Sequence, residues 1–332
     1  MADMTHPLRG DGDRSDRAQL ILITGLTLAV IFVAVVLLLN TVIYTENLAT
    51  RGVDAGGAEA AEFREGTATD VGELLDRTDW STADPTAFEA DLAAYAAATR
   101  DHRLRDGVVA TVAGEPSAGS YVAQENASRT LAPSDAYLNE TPATADEEWT
   151  LVENATRTRS YALNVTVEES IENDTVVETD AFRLRVESAA DDWTLYVYRP
   201  DGGDTTVRVD GAEYTTTDDR VRLDLTNGTI DGEPWDPLVW AAGVEDPSET
   251  EDRTEYDVTY ANGDTVAGSY GFVVDERAGV ATASPDGPLH DGVGDSPFAV
   301  DAVYDVTVTV GHHTPELRYE DRVRVAPGER GD

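Results

Sequence analysis

Tyr161-Ala162-Leu163-Asn164-Val165-Thr166-Val167 sets tyrosine, leucine and valines at every second position, with smaller or polar residues between them. Successive side chains leave a pleated backbone on opposite sides, so this period of two marks a strand with one face buried and one face wet. The pattern returns at Phe182, Leu184 and Val186, which alternate with Arg183, Arg185 and Glu187. It returns again at Val207 and Val209, at Val221, Leu223 and Leu225, at Tyr256, Val258 and Tyr260, and at Tyr304, Val306, Val308 and Val310. Turn chemistry punctuates these runs: Pro200-Asp201-Gly202-Gly203-Asp204, Asp210-Gly211 and Asn262-Gly263, the last predicting a hairpin. Residues 106–327 are therefore predicted to form an antiparallel β-rich, sandwich-like domain, with 328–332 as a tail.

Upstream of the strands the period becomes helical. Asp84 stands before Pro85 as a cap, and Phe88, Leu92, Tyr95 and Thr99 follow at helical spacing, predicting a helix over 85–103. Residues 46–105 read as a helical stalk followed by this second helix. Gly52, Gly56, Gly57 and Gly66 each weaken a helix by up to ~1 kcal/mol relative to alanine, which predicts a kink or break near 52–57.

Residues 18–45 carry no charge at all, and their centre, Leu20 to Leu39, is apolar almost throughout. At about 1.5 Å per helical residue that centre matches a hydrocarbon core of about 30 Å, predicting a transmembrane helix over 19–45. Arg9, Arg14 and Arg17 on its N-terminal side predict a cytoplasmic N-terminus, with the remainder outside the cell. Two readings of the same segment compete with a plain uncleaved anchor. A secretory signal peptide is one, but the run exceeds the usual ~7–15 residues and Asn40 to Glu46 makes a poor cleavage site. The other rests on Asp16-Arg17-Ala18-Gln19-Leu20, which resembles the processing site of archaeal type IV pilins and archaellins. The resemblance implies a leader, residues 1–18, removed between Ala18 and Gln19 by a prepilin-type peptidase, with Arg17 part of the recognised junction. It also implies a retained helix that packs with copies of itself or with other pilin-like subunits. The glutamate familiar near the start of bacterial pilins is missing, Ile23 standing at the fifth mature position. Tyr260-Ala261-Asn262-Gly263-Asp264 and Val323 to Glu329 resemble uncharacterised membrane proteins of haloarchaea. Together these give the expected class: α+β, an N-terminal transmembrane helix extending into an α-helical stalk, then a β-rich ectodomain.

A net charge of -41, from 65 acidic residues against 24 basic ones, points to a salt-loving source, where screened carboxylates keep a surface hydrated. Such a surface excludes a nucleic-acid platform, which needs clustered cations. The absence of cysteine excludes disulfides and thiolate chemistry. Six asparagines lie in N-x-[ST] sequons, Asn126, Asn139, Asn154, Asn164, Asn173 and Asn227, where chance predicts roughly one or two; they are read as glycosylation candidates.

No catalytic, cofactor or metal motif accompanies them, and the chain reads as a non-enzyme. His6, His102 and His290 are isolated, and the adjacent pair His312-His313 would point to opposite faces of a strand. Trp193, Tyr196, Tyr198, Trp235 and Trp240 could line a carbohydrate-binding face if exposed, although strand aromatics usually pack in cores. The expected function is a pilin-like structural protein of the cell surface. The alternative is a membrane-anchored extracellular module that binds a solute, glycan or protein.

Overall fold

The computed structural model describes residues 25–37, 56–140, 148–189, 191–238, 254–275, 278–280 and 287–329. Helix α1 spans 25–37. It is followed by α2 (Gly57–Arg77), α3 (Pro85–Arg105), α4 (Asp135–Glu140) and α5 (Val177–Asp180). The strands are β1 (Val109–Gln124), β2 (Trp149–Ala155), β3 (Thr158–Val167), β4 (Phe182–Ser188), β5 (Asp192–Tyr198), β6 (Thr205–Val209), β7 (Ala212–Thr216) and β8 (Arg220–Asp224). They continue with β9 (Thr229–Ile230), β10 (Glu233–Pro234), β11 (Tyr256–Ala261), β12 (Val266–Asp275), β13 (Gly279–Val280), β14 (His290–Asp291), β15 (Phe298–His313) and β16 (Arg318–Val325).

The strands form two sheets. One runs β10-β9-β8-β3-β12-β1-β15-β14, with β16 also paired to β15; the other runs β13-β2-β11-β4-β5-β6-β7. Strand β12 shows how the layers stack. Its Phe272 and Val274 join the core shared with Leu184, Leu195 and Val258 of the second sheet, while Val273 between them joins Leu75, Trp80 and Val306 beneath the helices. Three layers result: helices, nine-stranded sheet, seven-stranded sheet. Each fully buried Leu, Val or Phe in these two cores contributes about 1.5–3 kcal/mol of apolar burial.

Local chemistry sets the helix layer. Gly56 takes φ 99°, open to a residue without Cβ, and α2 starts at Gly57. Ala60, Phe63, Thr67, Val71 and Leu75 form its buried stripe. The Asp84 side chain accepts the Ala87 N–H at 2.8 Å and Pro85 opens α3, while His102, Arg103 and Arg105 sit in its last turn, where cations oppose the helix dipole. A Cβ on Gly114 would lie 2.4 Å from Leu92 Cδ2, so the close seating of α3 on β1 requires glycine there.

Three expectations are overturned. Among the described residues no helix is long and apolar enough to cross a membrane. Of the apolar run the described residues are 25–37, all helical, and they extend roughly 20 Å against a hydrocarbon core of about 30 Å. The single-pass anchor therefore falls, and with it the assignment of a cytoplasmic N-terminus and an extracellular remainder. The pilin-like reading rested on that helix and loses its support. Nor do the described residues of 46–105 form a helical stalk, because α2 and α3 lie against the nine-stranded sheet and bury Phe63, Val71, Leu75, Phe88 and Leu92 there. Finally, Asn262-Gly263 does not close a hairpin, since β11 belongs to one sheet and β12 to the other. Asn262 (φ 52°) begins an arch between the sheets, and the Gly263 carbonyl accepts the Leu131 N–H at 2.9 Å.

Candidate functional site

A cleft of about 430 Å³ opens where the turn after α2 overhangs the outer face of β1, β3 and β12. Asp76 and Asp79 stand on the helix side, Glu125 and Asn164 on the sheet side, and Trp80 and Tyr121 supply aromatic wall. Both the side chain and the backbone of Ser81 donate to Asp79 Oδ1, at 2.6 and 3.0 Å, and hold its carboxyl below the usual carboxylate value. Burial, then the charges of Glu125 and Asp79, push the Tyr121 phenol up to about 12. Tyr121 thus stays a hydrogen-bond donor through neutral pH, beside an anionic Asp79. The arrangement suits a cationic or hydroxylated ligand better than proton transfer.

Beside the cleft, Arg159 is buried although it is charged. Ser160 takes φ 56°, and the Arg159 side chain donates Nε to the Tyr304 carbonyl at 2.7 Å and Nη2 to the Val303 carbonyl at 2.8 Å. Burial lowers this guanidinium to about 10.

A second cluster ties down residues 326–329. Arg324 donates Nε to Asp305 and Nη1 to Glu329, each at 2.5 Å, while Tyr304 Oη donates to Glu329 at 3.0 Å and Arg157 lies 3.8 Å from both carboxylates. Burial works against the Arg324 charge, yet the hydrogen bonds to Glu329 and Asp305 outweigh it and raise the guanidinium pKa. The Ser160 N–H donates to the Gly328 carbonyl at 2.9 Å, so residues 328 and 329, expected to be tail, are part of the fold.

The residues singled out from sequence are dispersed. Arg17, Ala18 and Gln19 lie outside the described residues, as do His6 and Trp240. Asn126, Asn154, Asn173 and Asn227 are exposed, in turns or at a strand end, and Asn139 falls in α4 with its side chain outside the description. Asn164 is half-buried, its amide engaged by Arg222 at 3.1 Å and by Ser269 at 3.4 Å. Trp193 and Tyr198 are buried in cores, Tyr196 lies under the Arg208 guanidinium at 5.0 Å, and Trp235 is partly buried against the sandwich core, so these aromatics form no open binding face. His312 is fully buried, its ring 6.0 Å from that of Phe63, with neither nitrogen hydrogen-bonded, while His313 is half-buried. Among the described residues no group of three or more His, Asp and Glu side chains is placed to hold a metal ion.

Sequence reasoning passed over Trp80, Tyr121 and Arg159. An arginine two positions before Tyr161, on the face meant for the core, was the one available signal. A family of unknown function (DUF7261) matches residues 14–137. That segment holds α1 to α3, β1 and one wall of the cleft, ends within α4, and stops before the seven-stranded sheet begins at β2. No curated protein and no solved structure matches the chain.

Proposed function

We propose that this chain is a structural protein that self-associates through α1 and displays its acidic sandwich to a salty solvent. The observation that supports this is the surface of α1. Leu26, Leu28, Val30, Ile31, Phe32, Val33, Val35 and Val36 are all large, apolar and 52–64% exposed. Leu28, Ile31, Phe32, Val35 and Val36 form one stripe at helical spacing, and Leu26, Val30 and Val33 widen it around the helix. A helix apolar on every side persists when it is buried against other apolar surface. Among the other described residues no element offers an equivalent surface, and at a net charge of -41 the remaining faces repel one another. Helix packing between copies of α1 answers the first requirement, and screening by molar salt answers the second. Light scattering on the full chain in molar salt, beside Phe32→Glu, tests this: the parent is expected to be oligomeric and the variant to dissociate. Equal masses for the two would refute it.

The cleft favours a second reading, a module that binds a cationic or hydroxylated small molecule beside Trp80. Tryptophan quenching on titration with polyamines or oligosaccharides that Trp80→Phe abolishes would support it, and an unresponsive signal would count against it.

A further inference from the structure

We infer that the free edge of β1, together with the groove between it and α3, is a two-fold interface for a second copy of this chain. Strand β12 pairs with β1 only over Gly119–Gln124, whereas β15 pairs with it from Val109. Val109 to Ala118 therefore have a strand on one side alone among the described residues. Glu115, Pro116 and the register shift at 116–118 close off the far end, leaving Val109 to Glu115 as an open edge. An unpaired row of N–H and C=O groups is the surface to which a further strand adds.

Helix α3 runs beside this edge and makes, with Ala110 to Gly114 and Pro116, a groove of about 580 Å³. From the helix the groove is lined by Glu89, Leu92, Ala93, Ala96, Ala97 and Arg100. These six positions are symmetric about the point midway between residues 94 and 95. Under a two-fold rotation through that point, Ala93 meets Ala96 of the second copy, and Glu89 meets Arg100. Alanines let two helices approach closely, and the end charges are opposite in sign, so the patch complements itself as an isologous contact requires. The same axis suits the strand. Helix residues 89–100 cover roughly 17 Å and strand residues 110–116 roughly 20 Å, and Leu92, near the middle of the one, packs on Gly114, next to Ala113 at the middle of the other. Antiparallel pairing about Ala113 sets Thr111 against Glu115 and Val112 against Gly114, with no like charges opposed. An unrelated extended peptide would use the edge alone and would have no need of the charge pattern on α3.

The chain has no cysteine, which allows a direct test. In an antiparallel pair, residues facing each other across the axis have Cα atoms about 4.5–5.5 Å apart, within disulfide range. The full chain carrying Ala113→Cys is expected to cross-link to a dimer under a mild oxidant. Thr215→Cys, exposed on the other sheet, is expected to give no disulfide-linked dimer. Glu89→Arg added to Ala113→Cys should slow cross-linking about tenfold, as expected for ~1.4 kcal/mol lost from the contact, and Glu89→Arg with Arg100→Glu should restore it. Association through α1 alone would not join residues 113 and would not respond to the charge exchange. Ala113→Cys that keeps the parent's circular dichroism yet fails to cross-link would overturn the proposal. So would cross-linking indifferent to residues 89 and 100.

Discussion

Replacing Glu329 by glutamine removes one charge from the cluster that holds residues 326–329 and keeps an oxygen for the Tyr304 hydroxyl at 3.0 Å. The Glu329 side chain is 4% exposed and Asp305 10%, whereas Arg324 is 28% exposed and Arg157 33%. Breaking a fully buried pair costs about 3–5 kcal/mol, and an exposed pair is worth about 0–1 kcal/mol. Arg324 keeps Asp305 at 2.5 Å and reaches some water, so the expected loss lies between those limits, at about 2 kcal/mol. With a urea slope of about 1–3 kcal/mol per molar, the unfolding midpoint in molar salt should fall by about 1 M. Hydrogen exchange localises the effect: the Ser160 amide, which donates to the Gly328 carbonyl, should lose protection before the β3–β12 ladder does. A double-mutant cycle with Arg324→Met should return a coupling of at least ~1 kcal/mol. A loss below ~0.5 kcal/mol with unchanged Ser160 protection would refute this account of the cluster.

Two further outcomes follow from charge. Tyr121 and Tyr198, both pushed up to about 12 chiefly by burial, bind protons in the folded state at pH values where the unfolded phenol, near 10, has lost them. The stability they contribute is complete below pH 10 and is lost as pH rises towards 12, while Arg159, lowered to about 10, acts in the opposite sense. Urea midpoints should therefore fall from pH 10 upward, and Tyr121→Phe should flatten that slope by about one proton; a slope unchanged in the variant would exclude Tyr121 as a cause. Dialysis from molar to millimolar salt lengthens the Debye length from about 3 Å to tens of ångströms and should abolish the strand signal in circular dichroism, given a net charge of -41. A signal retained at low salt would show that the acidic surface does not need screening.

What the sequence disclosed, and what it concealed, divides along physical lines. Alternation at Tyr161, Leu163, Val165 and Val167 appears directly as the buried face of β3, because one pleat has one inner side. The Asp84-Pro85 cap is equally local, and it forms as its residue types dictate. Partner choice between sheets is a long-range property, so Asn262-Gly263 announced a turn but could not say that its two strands belong to different sheets. Arg159 was concealed because its burial depends on the backbone at Ser160 and on carbonyls of Val303 and Tyr304, about 140 residues away in the chain. The groove beside α3 joins residues that look like ordinary alanine-rich helix and plain strand. Its character comes from the absence, among the described residues, of a strand beside Val109 to Glu115, which no local pattern records.

The claim that α1 is the assembly element is tested most directly by a spin label. With no native cysteine, Val33→Cys places a single nitroxide on a helix whose large side chains stand 52–64% exposed in the isolated chain. Packed helices run with their axes about 8–10 Å apart, so labels on neighbouring copies should show dipolar broadening and restricted motion in molar salt, both abolished by dilution with unlabelled protein. A sharp, mobile spectrum at every concentration would contradict the account.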